Sequence, residues 1–153
     1  MAVIVIIDQI TKFIVYGSPA RSIIGNLLWF ESTLNTGVAF SMFEGNSWVF
    51  IITSSLASIL FVYLIISKKW LKTKFEKISI SLILAGTLSN LVDRIIFKGV
   101  RDFIYLKFIN FAIFNVADMA ITIGTILFCV CLVFLRKPNK EEKESSKEED
   151  VGA

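Results

Sequence analysis

The chain has 153 residues, 55% of them hydrophobic and 19% charged, with a formal net charge of +3 and a mean hydropathy of +0.71. That balance suits one small integral membrane domain and fits a soluble globule poorly; the charge is too small and too scattered to argue for nucleic acid. The absence of histidine removes Ser-His and Cys-His nucleophilic schemes and most zinc sites.

Four apolar segments follow in order. Ala2 to Tyr16 is short for a span and is interrupted by Asp8, Gln9, Thr11 and Lys12. It lacks a basic leader region and a convincing small-x-small cleavage site, so it reads as a retained span with a shortened start. Val49 to Ser67 is nearly free of charge and has the ~20-residue length that crosses hydrocarbon. Ile78 to about Ile96 carries Asn90, Asp93 and Arg94 in its last turns. Asn115 to Leu135 is apolar beyond its first turn; its two cysteines, Cys129 and Cys131, lack ligand spacing and read as buried or lipid-facing thiols. The predicted fold is an all-α membrane protein of four transmembrane helices, with a small external β-like or loop region between the first two. It occupies 1–136, and a charged, disordered cytoplasmic tail follows over 137–153.

Lysines 68, 69, 72, 74 and 77 fill the connection between the second and third segments, and another basic cluster follows the fourth. The long connection between the first and second holds only Arg21. The positive-inside rule then puts both termini and the middle connection in the cytoplasm, with Arg94, Lys98, Arg101 and Lys107 running against it. Trp29, Trp48 and Trp70 fall near predicted interfaces and read as anchors.

On this topology Asp102, in Val100-Arg101-Asp102-Phe103, and Asp118, in Phe114-Asn115-Val116-Ala117-Asp118, both lie near the outer surface. Carboxylates at or inside hydrocarbon are costly and point to function. Two held close cannot both ionise cheaply, so one keeps a proton while the other stays a base, the requirement for acid/base work on a peptide bond. The alternative is a pair of interfacial helix caps, with Asp118 placed to complement a helix dipole.

Other islands carry their own alternatives. Gly86, Asn90, Asp93 and Arg94 share one helical face, either a shell around the acids or a packing face with an interfacial ion pair. Asn115 could hold a carboxylate or the scissile carbonyl, cap the fourth helix, or do both. Asp8 and Lys12 have the spacing of an intrahelical ion pair and read first as packing. Asn35 and Gly37, in Asn35-Thr36-Gly37-Val38-Ala39-Phe40, read first as a loop whose glycine permits a bend.

Taken in order, Asp8-Gln9-Ile10-Thr11-Lys12, Asn35 to Phe40, Gly86 to Arg94, Val100 to Phe103 and Phe114 to Asp118 resemble the bacterial lipoprotein signal peptidases, or signal peptidase II. The resemblance implies an aspartic membrane endopeptidase of four transmembrane helices, without metal or organic cofactor. It removes signal peptides from prolipoproteins on the amino side of a diacylglyceryl-modified cysteine. It assigns catalysis to Asp102 and Asp118, and support or substrate positioning to Asn90, Asp93, Arg94, Asn115, Asn35, Gly37, Asp8 and Lys12. It implies a lipid-modified prolipoprotein and membrane lipids as partners, a site needing one chain only, and a bacterial cytoplasmic (inner) membrane location. Only seven residues precede Asp8, so it also implies a natural start further upstream. The rival functions are a small proton- or ion-coupled transporter and a non-catalytic four-helix scaffold.

Overall fold

The computed structural model describes residues 1–37, 47–67 and 69–135. Val38 to Phe40 of the loop island, Lys68 and the tail from 136 onward lie outside the described residues. The elements are α1 (Ala2–Val15), β1 (Arg21–Ile24), β2 (Leu28–Asn35), α2 (Ser47–Ile66), α3 (Lys74–Phe97), β3 (Val100–Leu106) and α4 (Val116–Val130). A 3-10 turn, Lys107–Ile109, follows β3, and a π turn, Cys131–Leu135, extends α4.

Three helical stretches, Ser47–Ile66, Lys74–Phe97 and Val116–Phe134, are long and apolar enough to cross a membrane. Their outer surfaces are those of a protein dissolved in hydrocarbon: the only buried residue of α2 is Ser58. In α1 the usual order is reversed. Its two buried residues are both charged, Asp8 and Lys12, while Ile6, Ile10, Phe13 and Ile14 face outward. With 14 residues it rises only about 21 Å.

The central element is α3, which packs against α1, α2 and α4. A Thr73–Glu76 capping box starts it, with the Thr73 side chain accepting from the Glu76 N–H and Glu76 accepting in return; this satisfies two of the N–H groups a helix leaves open. Lys98, left-handed at φ 59°, ends it. The Ser47 hydroxyl donates to the Lys98 carbonyl and ties the start of α2 to that end. Where α3 meets α4 the backbones nearly touch. A Cβ at Gly86 would collide with the Ala117 carbonyl and lie 2.7 Å from the Ile121 side chain, and one at Gly124 would lie 2.8 Å from the Ser79 carbonyl. Small residues at such crossings are how membrane helices gain close packing without a hydrophobic drive.

The predicted β-like region is a three-stranded antiparallel sheet in the order β1-β2-β3. Its third strand comes from elsewhere than expected: the connection between α3 and α4, which contains Asp102. Val100 to Leu106 is β-branched, aromatic or charged at most positions and suits a pleated surface. Its first four residues are buried without alternation, so no period-two pattern announces it. Thr33 pairs with Asp102 and Asn35 with Val100 across β2–β3, after a bulge that follows Phe30. Phe114 then doubles back onto β3, its N–H donating to the Ile104 carbonyl at 3.0 Å and its carbonyl accepting from Ile104 at 2.8 Å.

Valine at Gly86 is expected to destabilise the bundle by about 1–3 kcal/mol or more, the range for overpacking. Thermal unfolding in detergent, followed by circular dichroism, measures this, and Ala at the exposed Ile59 serves as the reference.

Candidate active site

Asn115 occupies the last position before α4, and its side chain accepts from the Asp118 N–H at 2.9 Å. Asp118 answers by accepting the Asn115 backbone N–H on Oδ2 at 3.1 Å, which closes a capping box. The amide nitrogen of Asn115 remains free to point outward from the helix. It donates to Asp102 Oδ1 at 2.6 Å and to Asn90 Oδ1 at 3.2 Å. Both alternatives for Asn115 therefore hold at once: it caps the helix and grips a carboxylate.

The opposite oxygens are held as firmly. Asn35 Nδ2 donates to Asp102 Oδ2 at 3.0 Å, and the Gly37 N–H donates to Asn35 Oδ1 at 3.1 Å, which fixes the direction of that amide. Asn90 Nδ2 donates to Asp118 Oδ1 at 2.8 Å. Strand β3, helix α4, helix α3 and the end of β2 thus each contribute one side of a frame around two carboxyl groups. Asp102 is buried and Asp118 half-buried, and both line one cavity of about 670 Å³. Burial, with Asp118 nearby, pushes the Asp102 carboxyl up to about 7, against the hydrogen bonds from Asn35 and Asn115 and the Lys12 ammonium. Desolvation and a like charge both disfavour the ionised form.

Behind the frame lies a second cluster with no solvent contact at its centre. Lys12 Nζ lies 2.8 Å from Asp8 Oδ2, 3.3 Å from Asp93 Oδ2 and 2.9 Å from Asn90 Oδ1. Arg101 pairs with Asp93 at 2.7 Å and donates to Gln9 Oε1 at 2.7 Å, with its guanidinium 4.2 Å over the Phe97 ring. Asp8 also accepts the Ala117 N–H at 2.8 Å and the Ser89 hydroxyl at 2.6 Å, so α1 anchors the start of α4. Among the described residues every buried side-chain nitrogen and oxygen has a partner.

The structure thus brings Asp102, Asp118, Asn90, Asn115, Asn35 and Gly37 together, and sets Asp8, Lys12 and Asp93 behind them. Arg94 lies on the cavity side together with Asn90, Asp102 and Asp118. Its guanidinium sits 5.3 Å over the Phe50 ring of α2 and lines the cavity, and among the described residues no ion pair joins it to a carboxylate. Its neighbour Asp93 turns instead to Arg101 and Lys12. Sequence reasoning gave no role to Arg101, Gln9 or Ser89. Arg101 sits in the same island as Asp102 but was counted as an external loop charge, whereas it is 6% exposed.

Alanine at Arg101 leaves Asp93 short of its bidentate partner inside the bundle. The expected loss is about 3–5 kcal/mol, as for other buried pairs stripped of one member, read as the midpoint of detergent-denaturant unfolding.

Comparison with known proteins places this frame in context. The family model described as signal peptidase (SPase) II matches residues 1–134. The lipoprotein signal peptidase of Lactiplantibacillus plantarum is 39% identical over 136 residues, covering 85% of this chain and 89% of that protein. That of Geobacillus kaustophilus is 37% identical over 146 residues, covering 91% and 94%. A solved bacterial membrane enzyme, obtained by the in meso method at 2.3 Å resolution, superposes with a TM-score of 0.80 at 33% identity, covering 91% of this chain and 90% of that one.

Proposed function

The chain belongs to the signal peptidase II family, and from that premise we propose that it removes signal peptides from prolipoproteins as an aspartic endopeptidase with Asp102 and Asp118 as its catalytic pair. The observation that carries this reading is the double grip of Asn115, whose side chain holds Asp102 and whose backbone N–H holds Asp118. One residue fixes both carboxyl groups at the edge of one cavity, where a water and a peptide carbonyl can meet them.

Asp102, with its carboxyl raised to about 7, keeps the shared proton, and Asp118 is the base. Asp118 takes a proton from the water as it attacks the scissile carbonyl, while Asp102 gives its proton to the carbonyl oxygen. Collapse of the tetrahedral intermediate breaks the C–N bond: the proton held by Asp118 passes to the leaving amine as a hydroxyl of the intermediate returns its proton to Asp102, which restores the starting pair. Asn90, Asn115 and Asn35 orient the pair. Arg94, on the cavity wall, positions substrate backbone; Asp8, Lys12 and Asp93 support the frame from behind.

The cut falls on the amino side of a diacylglyceryl-modified cysteine, with the acyl chains along the apolar wall formed by Ile109, Phe111, Met119 and Ile123. Binding energy from these non-reacting chains positions the bond to be broken. The protein spans the bacterial cytoplasmic membrane four times, α1 being a shortened span, with both termini and the α2–α3 connection cytoplasmic and the sheet and aspartates near the outer face. Residues 1–136 form the peptidase domain, 137–153 a cytoplasmic tail, and a single copy among membrane lipids suffices. A transporter reading finds no support in the gathering of Asp8, Asp93, Asp102 and Asp118 into one cluster.

Two outcomes test this. Asp102→Asn and Asp118→Asn should each lower cleavage of a diacylglyceryl-modified prolipoprotein by about 10²–10⁴-fold in protein that circular dichroism shows to be folded; near-normal cleavage by either variant refutes the pair. The pH dependence has a definite sign. Below its titration Asp102 holds the required proton, so kcat should fall as pH rises through about 7, measured as initial rates in buffered micelles.

A further inference from the structure

Lys12 is wholly buried, reaches no wall of the cavity and touches neither catalytic carboxylate, yet it bonds to the Asn90 amide, which in turn donates to Asp118 and accepts from Asn115. We propose that Lys12 is a positioning residue for the reaction: its ammonium, clamped between Asp8 and Asp93, locks the Asn90 amide in the one orientation that aims an N–H at Asp118. This rests on the assignment of Asp102 and Asp118 as the catalytic pair.

The argument is one of donors and acceptors. An asparagine amide has two nearly isosteric ends, and its orientation follows from its neighbours. Asn90 Oδ1 faces two donors, Lys12 Nζ at 2.9 Å and Asn115 Nδ2 at 3.2 Å; Asn90 Nδ2 faces the acceptor Asp118 Oδ1 at 2.8 Å. Reversing the amide would set donors against donors on one side and oxygen against oxygen on the other. Without Lys12 one donor remains to hold the oxygen. That donor, Asn115 Nδ2, is already committed to Asp102 at the shorter distance of 2.6 Å. A reversed Asn90 would present its oxygen to Asp118 and its NH2 to Asn115 Nδ2, a donor against a donor, and so disturb the residue that holds Asp102 as well.

Lys12 is itself placed so that it cannot do otherwise. Asp8 holds it from one turn earlier on α1, Asp93 from α3, and Arg101 of β3 completes the charge on Asp93. These four groups sum to neutrality, leaving the charge of the catalytic pair on β3 and α4 to face Arg94 across the cavity. The Lys12 ammonium also acts at a distance, since it is among the groups that hold the Asp102 carboxyl down.

The experiment compares kcat, KM and the pH dependence of kcat for the full chain and the variants Lys12→Met, Lys12→Arg and Asp102→Asn, with diacylglyceryl-modified prolipoprotein as substrate. For Lys12→Met we expect kcat to fall about 10²-fold with KM little changed. Its loss of activity at high pH should move upward by about one unit, because removing a nearby cation favours the neutral carboxyl. Lys12→Arg, which keeps the charge, should return that limb to the wild-type position. A Lys12→Met profile superimposable on wild type, beside a silent Asp102→Asn, overturns this inference alone. Cleavage retained by Asp102→Asn overturns the catalytic pair and this inference with it. Should Lys12→Met fail to fold, Asp8→Asn/Lys12→Met removes both members of the α1 pair together. A kcat below that of Asp8→Asn alone then supports the positioning role, and an equal kcat refutes it.

Discussion

Lys12 carries a full charge with no exposure to solvent, and much of the architecture satisfies that charge. A lone ammonium in such surroundings would cost several kcal/mol. Here it has two carboxylates and an amide oxygen within 3.3 Å, drawn from α1 and α3. Those carboxylates are in turn satisfied by Arg101, Gln9, Ser89 and the first turn of α4. The result is a polar core inside an apolar shell, the inverse of a soluble protein. The same groups that neutralise one another join α1, α3, β3 and α4 at one level.

That joining is what makes a site. Asn90 and Asn115 bridge the neutral cluster to Asp102 and Asp118, so the carboxyl pair inherits its geometry from a network already rigid for reasons of charge. Because Asp118 takes part in the capping box of α4, it cannot swing away without giving up its bond to the Asn115 N–H. Asp102 is fixed by its register in the sheet, opposite Thr33. Two carboxyl groups from different kinds of element meet because the Phe114 bridge to Ile104 turns the chain back within a few residues.

Much of this could be read from the sequence where local signals were strong. The apolar runs located α2, α3 and α4 to within a few residues. Asparagine's aptness as an N-cap offered Asn115 as the start of α4, and the cost of acids near hydrocarbon singled out both aspartates. What escaped depends on contacts distant along the chain. Strand β3 is buried on both faces, so it lacks alternation. Arg101 meets Asp93 only after the left-handed turn at Lys98, and Asp8 reaches Ala117 across 109 positions; no local pattern encodes either. Arg101 therefore looked like an external charge opposing the topology rule, when it is an internal counter-ion. Arg94 lines the cavity beside both carboxyl groups, while its seat over the Phe50 ring of α2 is a contact that no local pattern encodes.

The central claim is that the buried frame makes the two carboxyl groups unequal, with Asp102 keeping a proton at neutral pH. Infrared difference spectroscopy on protein carrying ¹³C-carboxyl aspartate, with Asp102→Asn as the subtraction standard, reads that proton directly. The account expects the Asp102 carboxylic-acid band to persist into the neutral range and to titrate with a midpoint of about 7. A midpoint at the ordinary aspartate value, about 3.9, would contradict it.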